Sequence, residues 1–213
     1  MELLAWFVDL VLNLDKHLVE MVREYGVWIY AILFAVIFSE TGFVVTPFLP
    51  GDSLLFVAGA VAATGAMNVH LLVVLLIIAA VLGNSVNYGI GRWLGGWFHG
   101  RGARWLNPRH LESAHAFYER HGGKAVVISR FLPIVRTYIP FVAGMASMDA
   151  ARFTFFNVAG ALLWIVSLCY AGYFFGNIPW VKGNLTAIIV GIIVVSLLPL
   201  VFAFVKSKLA KRA

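Results

Sequence analysis

Two apolar stretches of this chain are broken in the same way, and this constrains the fold more than any other feature. Gly26 to Phe38 is interrupted at Ser39-Glu40-Thr41-Gly42; Phe43-Val-Val-Thr-Pro47-Phe-Leu-Pro50-Gly51-Asp52 follows, and a further apolar run reaches about Gly65. The second stretch, Ala125 to Ala146, holds Arg130, Pro133, Arg136, Pro140 and Gly144. From Gly26 to Glu40 a helix rises only about 21 Å, against a bilayer hydrocarbon core of about 30 Å, which sets Glu40 at membrane depth. Prolines at that depth break the helix, and non-helical backbone is tolerated there only when buried in protein or lining a cavity. A re-entrant hairpin in each stretch meets both conditions.

Composition supplies the membrane. Of 213 residues, 62% are hydrophobic and 12% charged, with a mean hydropathy of +0.90; a soluble domain carries about 25% charge. A soluble enzyme, a disordered chain and a secreted disulfide scaffold are excluded. Seven Trp and seven Tyr suit a protein with two lipid–water interfaces. The lone Cys169 cannot form an intrachain disulfide and reads as a small buried hydrophobe. No cysteine or histidine cluster has metal-ligand spacing, so neither metal nor cofactor is expected. The net charge of +6 is a topology signal rather than a nucleic-acid footprint. Arg92, Arg101, Arg104, Arg109, Arg120 and Lys124 lie in 92–124, and Lys206, Lys208, Lys211 and Arg212 in the tail, marking both as cytoplasmic. His99, His110, His115 and His121 fall in that loop as solvated residues, with no nucleic-acid partner implied.

The chain reads as one all-α polytopic domain. Residues 1–24 form an interfacial amphipathic helix, because Asp9, Asn13, Lys16, Glu20 and Arg23 draw one polar stripe. The first repeat covers 26–95, including a span at 69–91. A cytoplasmic loop with a short helix at 107–123 fills 96–124. The second repeat covers 125–176, with a span at about 153–176. A final span at 185–205 and a basic tail at 206–213 complete the chain. Phe48-Leu-Pro50 recurs as Phe131-Leu-Pro133, Phe56-Val-Ala-Gly59 as Phe141-Val-Ala-Gly144, and Gly91-x-x-x-Gly95 as Gly172-x-x-x-Gly176, at offsets of 83, 85 and 81 residues. With the basic segments inside, the two broken segments enter from opposite faces. That is the inverted-repeat layout of secondary transporters, which bind substrate where broken helices meet.

Glu40, Asp52, Arg130 and Arg136 lie inside the broken segments. Each costs roughly 2.5–3.5 kcal/mol at a helix centre, on the order of 10 kcal/mol together. Opposed hairpins would bring the two acids toward the two arginines. A static ion-pair network is one reading. The functional reading assigns Arg130 and Arg136 to an anionic headgroup, because a guanidinium keeps its charge and offers a planar fork of donors to phosphate. Desolvation favours a carboxylate's neutral form and a nearby arginine its charged form, so Glu40 and Asp52 are candidate proton carriers. Pro47, Pro50, Gly51, Pro133, Pro140 and Gly144 are the helix-breaking backbone that would line the cavity. Asn84 and Asn87, three apart before Arg92, either line it or hydrogen-bond between helices. No residue is assigned as catalytic: no histidine lies in either broken segment, and Ser39, Ser53 and Ser129 have none nearby.

These residues resemble the bacterial DedA family, whose membrane domain is of the SNARE-associated or VTT type. The resemblance rests on Phe38-Ser-Glu40-Thr-Gly42 with Pro47-Phe-Leu-Pro-Gly-Asp52, and on Ser129-Arg130-Phe-Leu-Pro133 with Arg136-Thr137 and Gly144. It runs on through Tyr170-Ala-Gly-Tyr-Phe-Phe-Gly176. It implies a multi-pass inner-membrane protein with two opposed re-entrant hairpins, active in envelope homeostasis and dependent on the proton motive force. Some family members are implicated in returning undecaprenyl phosphate across the membrane, and eukaryotic relatives scramble phospholipids. The family's functional acids match Glu40 and Asp52, and its functional arginines match Arg130 and Arg136. One departure is Asn84, where relatives often carry aspartate. The expected function is a lipid-phosphate flippase whose partners are a polyprenyl phosphate or phospholipid and protons, with a homo-oligomer allowed for. An uncoupled scramblase and a non-transporting membrane-assembly factor are the competing readings.

Overall fold

The computed structural model describes residues 14–43, 51–98, 122–176, 178–184, 187–188 and 190–191, and every regular element among them is a helix. In chain order these are α1 (Leu14–Tyr25), α2 (Trp28–Gly42), α3 (Gly51–Ala62), α4 (Val69–Phe98), α5 (Lys124–Ser129), α6 (Pro133–Met145), α7 (Ala150–Phe175) and α8 (Pro179–Gly183). The expectations at Pro47, Pro50, the 107–123 helix, the 206–213 tail and most of the 185–205 span lie outside the described residues. So does the first half of the N-terminal helix.

Among the described residues two helices are long and apolar enough to cross a membrane, at Val69–Gly95 and Ala150–Phe175; 26 residues of helix rise about 39 Å. The exposed face of α4 is inverted relative to that of a soluble helix. Val74, Ile78, Leu82, Val86, Ile90 and Trp93 are exposed at steps of three or four, while Asn84 and Asn87 are buried. An apolar stripe of that length faces lipid or a partner, not water.

Several boundaries differ from the expected ones, each for a local reason. α2 is not interrupted at Ser39 but runs through Glu40 and Thr41 to Gly42, with the Thr41 hydroxyl bonded back to the Ile37 carbonyl at 2.8 Å. α4 continues seven residues past Gly91. α7 starts at Ala150, where the Asp149 carboxylate accepts the Arg152 amide at 2.8 Å as an N-cap. The segment from 177 to 184 contains the short α8 rather than only a loop. Pro140 and Gly144 do not break the chain, since both sit inside α6. The actual break is at Arg130–Leu132: Leu132 is extended (φ −121°, ψ 100°), as a residue before proline prefers, and Pro133 opens α6 at its first position.

The chain divides into two compact units. The first comprises 1–30, 50–73 and 167–213; the second comprises 31–49 and 74–166. In the first, α1 packs against α3, burying Leu18 while Glu20, Arg23 and Glu24 stay exposed. A side chain at Gly59 would overlap the Cys169 carbonyl, and one at Gly172 the Phe56 carbonyl. In the second unit the same holds of Gly144 against the Tyr88 carbonyl and Gly91 against the Phe141 carbonyl. Gly59 and Gly144 are 85 residues apart, as are Phe56 and Phe141; Gly91 and Gly172 are 81 apart, as are Tyr88 and Cys169. Each unit therefore pairs the Phe-Val-Ala-Gly helix of one half of the chain with the Gly-x-x-x-Gly helix of the other. Around the second crossing Tyr88, Ala125, Val126, Ile139, Val142, Ala143, Met148 and Phe153 form an apolar core, with the Tyr88 and Phe153 rings stacked at 4.2 Å.

Candidate functional site

The second unit holds three of the four predicted ionisable residues, and each arrives by a different local device. Glu40 rides on the last turn of α2, which approaches α4 closely because Gly42 and Gly83 meet without side chains. Arg130 caps α5, and Arg136 lies one turn into α6, so the break between those helices separates them. Asp52 stands in the first turn of α3, in the first unit, half-buried.

The structure brings Glu40 and Arg136 together as a buried ion pair through Oε1 and a terminal guanidinium nitrogen. Their side chains are 0% and 7% exposed. Arg130 is 2% exposed and takes a different kind of partner. Its terminal nitrogen donates to Asn157 Oδ1 at 2.7 Å, with longer contacts to the Ala80 and Asn157 carbonyls at 3.4 Å. Among the described residues no carboxylate reaches it. Both guanidinium carbons lie over the Trp164 ring, at 5.7 Å from its centroid for Arg130 and 5.4 Å for Arg136. An indole face attracts desolvated cations and so helps hold two like charges side by side.

Asn84 and Asn87 both bond to neighbouring helices, the second of the two roles set out for them. Asn84 Nδ2 donates to Asn157 Oδ1 at 3.1 Å. Asn87 Nδ2 donates to the Thr137 carbonyl at 2.7 Å and reaches the Thr41 carbonyl at 3.5 Å. Pro140 has no amide to offer the carbonyl four residues before it, yet the helix continues through it to Met145. Gly144 acts as a packing position against Tyr88, and Gly51 opens α3.

Sequence reasoning missed Asn157 and Trp164. Asn157 carried a readable signal, being a carboxamide in an otherwise apolar span. Trp164 did not, because tryptophan in a membrane protein is expected at the interface rather than fully buried.

Chemically, the buried charged side chains among the described residues of this unit are two guanidinium groups and one carboxylate. Such a group holds an anion more readily than it performs bond chemistry, and among the described residues no metal-binding cluster is present.

Comparison with known proteins agrees with the motifs. Residues 49–174 match the model of the VTT domain. The chain is 54% identical over 213 residues to Protein DedA of Escherichia coli K12, covering 99% of this chain and 97% of that one. It is 42% identical over 155 residues to the inner membrane protein YqjA of the same strain, covering 71% and 69% of the two chains. An uncharacterised membrane protein of Mycobacterium leprae is 40% identical over 169 residues, covering 79% and 76%. No solved structure matches. With a matched domain spanning more than half its length and a relative this similar end to end, the chain is a membrane protein of the DedA family.

Proposed function

We propose that this protein is a transporter, not an enzyme, and carries a lipid phosphate, undecaprenyl phosphate or a phospholipid, across the bacterial inner membrane, coupled to protons and in support of envelope homeostasis. The observation that carries the reading is Arg130. Burying an arginine is costly, and a buried charge is ordinarily paired with an opposite one; here its partners are a neutral amide and backbone carbonyls. A phosphate oxyanion entering beside it would supply the missing charge through charge-assisted hydrogen bonds. Glu40, paired with the neighbouring Arg136, is the group whose protonation would change the charge at that place, and Asp52 is a second proton-carrier candidate.

The twofold recurrence of the glycine crossings supports an inverted repeat whose broken segments, 26–65 and 125–146, form opposed re-entrant hairpins. On this reading the protein is multi-pass, with the 96–124 segment and the C-terminus in the cytoplasm. Alternating exposure of a site held by such repeats is how transporters move a substrate without opening a channel.

Proteoliposomes containing the purified protein and a fluorescent polyprenyl phosphate test this directly. Transport is expected in the wild type, faster under an imposed pH gradient, and lost in Arg130→Ala. A rate indifferent to the gradient would leave an uncoupled scramblase. Absence of transport with every lipid phosphate tried would favour a membrane-assembly factor.

A further inference from the structure

One face of α7 is built around the Arg130 side chain. Asn157, Gly160 and Trp164 follow at intervals of three and four residues, so they stack on one side of the helix. Asn157 has no freedom to turn: its Nδ2 donates to the Val81 carbonyl at 3.0 Å and to Ser85 Oγ at 3.3 Å. Its Oδ1 therefore faces the guanidinium, and a second donor, Asn84 Nδ2, fills the other lone pair at 3.1 Å. The carboxamide is used on all four sides. One turn on, Gly160 leaves the space through which the arginine stem passes; a methyl group there would sit 3.1 Å from both Arg130 Cδ and Nε. Trp164 then lies beneath the guanidinium. Arg130 Nε is buried with no hydrogen-bond partner among the described residues.

We infer that Asn157, with Gly160 and Trp164, is a seat that fixes Arg130 in place while leaving its charge uncompensated, and that this is what lets the site select a phosphate group over a neutral headgroup. The inference rests on the lipid-phosphate reading above and adds residues to it. Asn157 acts through Arg130 and is a positioning residue. An aspartate at 157 would hold the guanidinium just as closely, but an incoming anion would then meet a carboxylate already in place. The neutrality of the seat is thus the specificity-determining property.

The test uses the full chain, purified in dodecyl maltoside, titrated with farnesyl monophosphate, farnesol and inorganic phosphate, with binding read by calorimetry and folding by thermal unfolding. Wild type is expected to bind a phosphate probe and not farnesol, and Arg130→Ala to bind neither. Farnesyl monophosphate bound without inorganic phosphate assigns the site to a lipid headgroup; equal binding of both assigns it to the anion itself. Asn157→Asp is expected to stay folded, its new ion pair offsetting the lost bonds to Val81 and Ser85, and to bind the phosphate probe at least about tenfold more weakly. A merely structural Asn157 would change the unfolding temperature and leave affinity intact. Gly160→Ala keeps every polar atom and guards against a misfolded aspartate variant. It displaces the arginine stem and is expected to weaken the same probe by about threefold or more. Wild-type affinity in both variants, alongside loss in Arg130→Ala, overturns the seat alone. Wild type that binds neither anion overturns the lipid-phosphate reading and the seat with it.

Discussion

The two units are built on the same helix crossing and filled with opposite chemistry. In each, a Phe-Val-Ala-Gly helix meets a Gly-x-x-x-Gly helix so closely that a carbonyl of each lies where the other's glycine side chain would be. In the first unit Ser53 is the buried polar side chain among the described residues. In the second, Glu40, Thr41, Asn84, Asn87, Ser129, Arg130, Arg136, Thr137 and Asn157 are all buried. The crossing is thus a scaffold that accepts either filling, because its closeness depends on backbone and glycine alone. What the second unit adds is a polar network, and the network rather than the repeat marks the site. Position 88, tyrosine in the second unit, shows the difference at single-residue scale. Its ring stacks on Phe153 and its hydroxyl bonds the Met148 carbonyl and receives Arg92 at 3.1 Å, whereas the matching position holds Cys169.

The sharpest way to break this contrast is to unbalance the buried pair. Arg136→Met leaves the Glu40 carboxylate buried without its guanidinium, expected to cost about 3–5 kcal/mol of unfolding free energy. The double variant Glu40→Gln with Arg136→Met removes both charges and is expected to regain most of that loss, since apolar or neutral replacements of a buried pair are often tolerated. Asp52→Asn, in the half-buried first turn of α3, removes a negative charge from a helix N-terminus and is expected to cost about 0.3–1 kcal/mol. Chemical denaturation in a mild detergent measures all three. If Arg136→Met costs no more than Asp52→Asn, the polar network contributes nothing that the first unit lacks.

Much of this was legible beforehand because membranes impose strong rules. Scarce charge identified the class, and Glu40, Arg130 and Arg136 stood out because ionisable residues are rare at depth. The recurrences emerged because close helix crossing demands glycine at fixed spacing. Local conformation was read less well. Ser39 to Gly42 reads as a breaker when only residue types are considered, yet the Thr41 hydroxyl bonds within the helix and Gly42 is needed for packing on Gly83. Pro140 reads as a break by residue type, yet it sits inside α6, and the break falls at Arg130–Leu132. Pairing is legible only in part: Glu40 meets Arg136, whereas Arg130 is held by an asparagine that only tertiary structure brings near.

The shared crossing itself predicts matched pairs of smaller effects. Gly59→Ala and Gly144→Ala each drive a methyl group into a backbone carbonyl, of Cys169 and Tyr88 respectively, and neither carbonyl can rotate away. Each is expected to cost about 1–3 kcal/mol, the usual range for overpacking, and the two values should agree within experimental error. Gly172→Ala and Gly91→Ala form a second matched pair, against Phe56 and Phe141. Gly89→Ala is the control on the same helix as Gly91. Nothing lies within 4 Å of its side-chain position, so better helix propensity should stabilise α4 by up to about 1 kcal/mol. A large cost in one unit and none in the other would show that the crossings are alike in geometry but not in tension.

The finest difference lies where the two repeat helices end. The turn after α3 carries its left-handed residue at Gly65, φ +84°, whereas the turn after α6 carries it at Ser147, φ +54°, 82 residues later. Both amides bond back three residues at 3.0 Å, to Ala62 and Gly144. Only glycine adopts this backbone without opposing its own Cβ, although it gives up more freedom on folding. Space does not enter, since no atom lies within 4 Å of a side chain built at Gly65, and Ser147 is exposed. Ser147→Gly is therefore expected to raise stability, and Gly65→Ser to lower it, each by about 0.5–1 kcal/mol. Thermal unfolding of the two single variants, compared with the exchanged double variant, tests this pair. If the turns are equivalent, the double variant should unfold within error of the wild type, because the strain has only been moved from one unit to the other.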